Sequence, residues 1–190
     1  MKTLIINGSP RRRGDSYALL TKIKENLKGD IDEVFAYYDR ITPCVDCRRC
    51  WQQPGCVFID DMDRVYADDY DSVIIASPLY MSGLTGPLVS LASRFQCRYA
   101  QKRFLKQDLN LRPKTGALII TGGGDGKTGH AISLAKWMFK HMNANLPEEN
   151  IILSMNTDES PARDDVAALK KAGETAIRLN AANCKAQGNR

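Results

Sequence analysis

The chain has 190 residues, 43% of them apolar and 26% charged, which suits one α/β domain with a continuous core and is too short for two comfortable ones. Its net charge of +5 is mild, and outside Arg11-Arg12-Arg13 and the Arg94–Lys106 stretch the basic residues are dispersed; that permits phosphorylated ligands but gives no footprint for nucleic acid. No run approaches the roughly 20 apolar residues that span a bilayer, and the short apolar start runs straight into a glycine turn, so it reads as a first strand rather than a signal peptide and the expected location is the cytoplasm.

In chain order, Lys2–Asn7 is an unbroken apolar strand that stops at Gly8-Ser9-Pro10. Ser16–Leu27 sets Leu19, Leu20, Ile23 and Leu27 on one helical face. Glu33–Tyr37 predicts a second strand, followed by a polar, cysteine-rich insertion over Asp39–Asp61. Loops of that length are functional or disordered, and four cysteines favour function. Ser72–Ala76 predicts a third strand, Leu84–Phe95 a helix, and Gly116–Thr121 a fourth strand that runs into glycines. His130–Met142 is expected as a helix, Asn150–Ser154 as the fifth strand and Arg163–Ala182 as the closing helix. Apolar strands separated by helices indicate a parallel sheet covered on both faces. The expected fold is α/β and flavodoxin-like, a doubly wound five-stranded sheet of order 2-1-3-4-5, in a single domain over residues 1–190.

Such sheets bind ligands beyond the carboxyl ends of their strands. Three segments lie there: Gly8–Ser16, Ser77–Gly83 and Thr121–Gly129. In the first, small residues let amides approach an anion. Ser9 and Ser16 add hydroxyls, Arg11 adds charge, and the helix N-terminus adds unpaired N–H groups. This is a phosphate cradle without the glycine spacing of a dinucleotide fingerprint; the plainer alternative is a polar turn capped by Asp15 or Ser16.

A first strand followed by Asn7-Gly8-Ser9-Pro10-Arg11 and Gly14-Asp15-Ser16 resembles the NADPH-dependent FMN reductase and iron–sulfur flavoprotein families. The resemblance implies that this loop, with Ser9, Arg11, Ser16 and Tyr17, binds the FMN phosphate end, Ser16 standing where threonine is usual. In the second loop, Pro78 and Gly83 bend the chain while Leu79, Tyr80, Met81 and Ser82 offer apolar surface beside a few donors. An isoalloxazine ring needs that combination, and the resemblance implies that the loop lines it. Alone it could be an ordinary turn with Tyr80 in the core. In the third, Gly126-Lys127-Thr128 has the ending of a phosphate-binding P-loop, but Thr121 stands where that motif requires glycine. The resemblance implies that Gly122, Gly123 and Gly124 pass beside the flavin instead.

Cys44, Cys47, Cys50 and Cys56 form a C-x2-C-x2-C-x5-C run. Two-residue gaps let thiolates converge on one centre, as in ferredoxin-type sequences. The resemblance implies a [4Fe–4S] cluster beside FMN, with Trp51 shielding it or reaching a partner subunit's flavin. Zinc, reduced thiols and a disulfide stay open, although zinc sites usually come as two separated pairs. Cys97 and Cys184 read as helix-packing residues, His130 and His141 as non-catalytic, and Asp60-Asp61 as the cap of the next helix.

Flavin chemistry needs no acid–base triad, because the cofactor accepts the hydride or electrons. The expected activity is electron transfer from NAD(P)H or a ferredoxin-like donor, through FMN and the cluster, to a small-molecule or protein acceptor. The alternatives are an NAD(P)H:FMN or quinone reductase without a cluster, a non-enzymatic flavodoxin-type carrier, and a zinc module. The resemblance also implies a homodimer or homotetramer.

Overall fold

The computed structural model describes residues 1–188, with side chains described through Ala182. Six strands form one parallel sheet: β1 Lys2–Asn7, β2 Asp30–Phe35, β3 Ser72–Pro78, β4 Lys114–Thr121, β5 Ala144–Asn145 and β6 Ile151–Ser154. Six helices accompany them: α1 Asp15–Lys24, α2 Met62–Tyr66, α3 Gly86–Ser93, α4 Gln96–Phe104, α5 Gly129–His141 and α6 Val166–Gly188. The strand order is β2-β1-β3-β4-β5, with β6 also pairing β4. This is the expected 2-1-3-4-5 winding, with its fifth position split in two. β5 pairs Lys114 and Thr115, and β6 pairs Leu118–Thr121. The buried Asn150 fills the gap, donating from Nδ2 to the Gly116 carbonyl at 3.0 Å.

The central strands read as apolar runs because helices cover both of their faces. Ile5, Ile74, Ala117 and Ile119 face α1 and α6 through Leu19, Leu20, Ile23, Ala172 and Ala176. Leu4, Ile6, Val73, Ile75, Leu118 and Ile120 face the other layer through Leu88, Leu91, Phe95, Met138 and Phe139. Among the described residues, no helix is long and apolar enough to cross a membrane.

Several boundaries differ from the sequence expectation. β2 lies at Asp30–Phe35 rather than Glu33–Tyr37, because Phe35 N–H donates to the Asp39 carboxylate at 3.0 Å and the chain turns there. The expected helix over Leu84–Phe95 is α3, Gly86–Ser93, and a second helix, α4, follows it from Gln96, beyond the expected span. At the joint, Arg94 and Phe95 N–H groups reach back only three residues, to Leu91 and Ala92. α1 spans Asp15–Lys24, short of Leu27, and its N-cap is Gly14, not Asp15 or Ser16.

Candidate functional site

Three loops at the carboxyl edge of the sheet are tied to one another. The first is fixed by its own side chains: Ser9 N–H donates to Asn7 Oδ1 at 2.9 Å, and Arg11 N–H donates to Ser9 Oγ at 3.2 Å. Gly8 lets the loop approach closely, since a β-carbon there would lie 2.7 Å from Leu88 Cδ2 and 3.2 Å from the Ala76 carbonyl oxygen. Tyr38 donates its hydroxyl to the Pro10 carbonyl and closes the outer side. Thr121, the last residue of β4, joins the other two loops. Its hydroxyl pairs with Ser16 Oγ at 2.9 Å, and its carbonyl accepts Leu79 N–H at 2.7 Å.

Between the loops lies a cleft of about 220 Å³, walled by residues that include Ser9, Arg11, Ser16, Pro78, Leu79, Tyr80, Thr121 and Gly123. α1 opens on it with no side-chain cap, which leaves its first-turn amides for an anion. Among the described residues, Arg11 makes no side-chain ion pair. Thr157 and Asp158 complete the wall, and neither was singled out from the sequence. Both follow β6, so the rule that selects loops after strands applies to them equally.

Not every expected residue reaches the cleft. Tyr17 is 39% exposed on α1. Gly122 and Gly124 are not among the walls, and these glycines serve a second loop of the chain itself. Thr157 and Asn156 N–H groups donate to the Gly122 and Gly124 carbonyls, and a β-carbon on Gly123 would collide with the Asp158 carboxylate. Tyr80 is not in the core: it is 45% exposed. It exchanges both backbone hydrogen bonds with Gly83, at 3.0 and 2.8 Å, around a two-residue turn. Met81 and Ser82, which are also not among the walls, form the tip with φ of 50° and 61°, and the Met81 side chain is fully exposed. Left-handed backbone at two non-glycine residues is strained, and such strain clusters at ligand-binding loops.

The second cavity, of about 300 Å³, is formed by the insertion lying against α4. Cys44, Cys47, Cys50 and Cys56 all line it. Cys97 does too: it is buried in α4, as a packing residue should be, but it also faces this cavity. Burial, then the charges of Cys44, Cys56 and Cys47, push the Cys50 thiol up. Burial, with Cys50 and Cys56 adding, pushes Cys97 up to about 11. Among the described residues, no three histidine, cysteine, aspartate or glutamate side chains are gathered as ligands of a single metal ion. Trp51 stacks on Phe104 with ring centres 4.1 Å apart and closes one side. Cys184 lies outside the residues whose side chains are described.

Behind this cavity sits a buried ion pair. Arg94 Nη1 donates to Asp60 Oδ2 at 2.7 Å and to the Thr42 carbonyl at 2.8 Å. Their side chains are 1% and 4% exposed. Asp60 also accepts Met62 N–H on Oδ1, so it, rather than the N-cap Asp61, satisfies the first turn of α2. Thr42 N–H donates to Asp60 Oδ2, and Arg40 and Asp61 exchange a second pair of bonds. The two ends of the insertion are thereby stapled together. Burial alone would raise the Asp60 carboxyl; the Arg94 and backbone hydrogen bonds outweigh it and hold the group below its usual range. Nε and Nη2 of Arg94 are buried and have no hydrogen-bond partner among the described residues.

Comparison with known proteins bears on the family and the fold. The sequence model of the family described as NADPH-dependent FMN reductase matches residues 1–158. An iron–sulfur flavoprotein of Methanosarcina thermophila is 27% identical over 94% of this chain and 93% of its own length. An iron–sulfur flavoprotein of Methanocaldococcus jannaschii is 35% identical over 70% of this chain and 67% of its own. Among solved structures, the NAD(P)H:quinone oxidoreductase from Methanothermobacter marburgensis superposes with a TM-score of 0.71 at 15% identity, covering 94% of this chain and 96% of that one, which shows the shared fold.

Proposed function

The chain belongs to the NADPH-dependent FMN reductase family and is an NAD(P)H-dependent FMN oxidoreductase; from that premise we propose that its cysteine cavity carries a [4Fe–4S] cluster through which electrons leave one at a time. FMN, when bound, supplies hydride acceptance and single-electron release. The residues of the cleft fit it. The uncapped start of α1 and the unpaired Arg11 suit a phosphate, and Ser9 and Ser16 shape the loop that presents them. Asp158, an acceptor on the facing wall, suits ribityl hydroxyls rather than phosphate. Pro78, Leu79 and Tyr80 provide apolar wall for the ring, and the strained turn at Met81-Ser82 follows them in the chain. Tyr17, Met81, Ser82, Gly122 and Gly124 lie outside that wall.

The observation that carries the cluster reading is that all four cysteines of the compact motif line one cavity. The donor set fits: four thiols, walls of Trp51 and Phe104, and buried N–H groups without an acceptor. A cluster there would supply one-electron transfer to a small-molecule or protein acceptor, in a cytoplasmic enzyme. Exposed Val45, Trp51, Val57 and Ile59 around the insertion support a homodimer or homotetramer, which sedimentation velocity reads directly.

Protein purified without oxygen tests the reading. Flavin bands with broad absorbance beneath them, bleached by NADPH or NADH, and about four iron and four sulfide per chain are expected. A second reading, a reductase whose cysteines remain thiols, is favoured by the cysteines being spread over the cavity walls rather than gathered. Bleachable flavin without iron or sulfide selects it; colourless, zinc-bearing protein overturns the cluster.

A further inference from the structure

We infer that Arg94 is a positioning residue for the cluster, its Nε–H and Nη2–H donating hydrogen bonds to cluster sulfur and raising its reduction potential; this rests on the cluster reading above. Arg94 stands at the joint between α3 and α4 and is 1% exposed. Leaving buried donors unpaired costs about 1–3 kcal/mol each, so a folded protein seldom keeps two on one side chain without an acceptor that arrives later. The pairs already made account for Nη1 alone, shared between Asp60 and the Thr42 carbonyl. The guanidinium carbon lies over the Phe58 ring, 5.3 Å from its centre. The ring answers the charge through its π face and carries no lone-pair acceptor for the two N–H groups.

What Arg94 does border is the cysteine cavity, where it is a wall together with Cys44, Cys47, Cys50, Cys56 and Cys97. Four thiolates around an iron–sulfide core carry net negative charge and expose sulfur lone pairs, the acceptors that the two N–H groups lack. Asp60 neutralises the arginine as a whole. The effect on the cluster therefore comes from directed N–H dipoles rather than from net charge, and donors to sulfur stabilise the more negative, reduced state. Lysine would keep the charge and could still pair with Asp60. It has no rigid fork with which to hold Asp60, Thr42 and sulfur at once.

The test is a redox titration of full-length protein loaded with FMN and reconstituted anaerobically with iron and sulfide, with dithionite as reductant. Electron paramagnetic resonance follows the cluster, and absorbance follows the flavin. In Arg94→Lys the equilibrium constant for one-electron reduction of the cluster is expected to fall about tenfold, a shift of about 59 mV to more negative potential. The flavin midpoint, set in a different cavity, stays where it is. Should Arg94→Lys fail to fold, the double variant Asp60→Asn with Arg94→Gln leaves no buried charge and should show the same displacement. Wild-type protein that binds iron and sulfide, with either variant's cluster midpoint unchanged, overturns this inference alone. Wild-type protein that takes up neither iron nor sulfide overturns the cluster reading and this inference with it.

Discussion

Ser16 Oγ and Thr121 Oγ1 meet at 2.9 Å in a buried contact between positions 105 residues apart. One hydroxyl lies in the first turn of α1 and the other ends β4, so the pair couples the start of that helix to the loop that borders Asp158. Replacing Ser16 with alanine leaves the Thr121 hydroxyl buried without that partner. Stability is expected to fall by about 1–2 kcal/mol and FMN affinity about tenfold, read by urea unfolding and by flavin fluorescence titration. Undiminished FMN affinity would remove Ser16 from the site.

Gly29 provides a control far from the cleft. Its φ is +84°, and a β-carbon there would run into the Met1 carbonyl, which accepts Asp30 N–H at 3.0 Å. Left-handed backbone alone costs a non-glycine residue about 1–2 kcal/mol, and the collision adds to it. Gly29→Ala should lower the urea midpoint while leaving FMN affinity of the folded fraction unchanged.

Met81 should behave in the opposite sense. Its side chain buries nothing and its φ is 50°, so Met81→Asn relieves backbone strain at no cost in packing. Stability is expected to rise by about 1 kcal/mol, with FMN binding weakened severalfold as the apolar tip beside the ring is lost. A loss of stability would show that the turn is not strained.

The dependence of stability on pH should have an identifiable limb on each side. Burial would raise Asp32, but hydrogen bonds from Arg64 and Tyr70 outweigh it and hold the carboxyl below its ordinary 3.8. Its contribution is complete above that pH and is lost as pH falls through the lower folded value. Tyr70 is raised above 10.0 by burial and by its bond to Asp32, so its contribution is complete below pH 10.0 and is lost as pH rises beyond. Urea midpoints measured against pH should show a shallower acid slope in Asp32→Asn and a shallower alkaline slope in Tyr70→Phe. Curves that superpose on wild type would dismiss both assignments.

Cys50 is half-buried in its cavity, beside the buried Cys97. Cys50→Ala is expected to lose most iron and sulfide after anaerobic reconstitution, with FMN bound as in wild type. Full retention of both would place the ligands elsewhere.

Much of this arrangement is legible in the sequence because the central strands are buried on both faces. Leu4-Ile5-Ile6, Val73-Ile74-Ile75 and Leu118-Ile119-Ile120 therefore read as uninterrupted apolar runs. The edge is harder to read. β2 buries Val34 completely and leaves Asp30 and Ile31 exposed, so the apolar Val34–Tyr37 stretch draws the expected strand past a turn made by Asp39. The phosphate loop is visible because its small residues and charge are contiguous. Asp158 is not, since its place depends on a ladder between the segment after β6 and Gly122–Gly124. The Arg94–Asp60 pair is invisible in a string of residues: nothing in the composition around either position indicates that two charges 34 residues apart will share the interior.

The staple at the ends of the insertion has an evolutionary consequence. Thr42 meets Asp60 and Arg40 meets Asp61, so the excursion leaves the fold and returns to it at one place. Loop-closure entropy changes slowly with length, by about 0.6 kcal/mol for each doubling. Lengthening or shortening the chain between the cysteines should therefore cost little stability and leave the sheet beneath untouched. An insertion held this way is portable, and moving residues 40–61 as a block, with arginine at the matching helix joint, is how it would be transplanted.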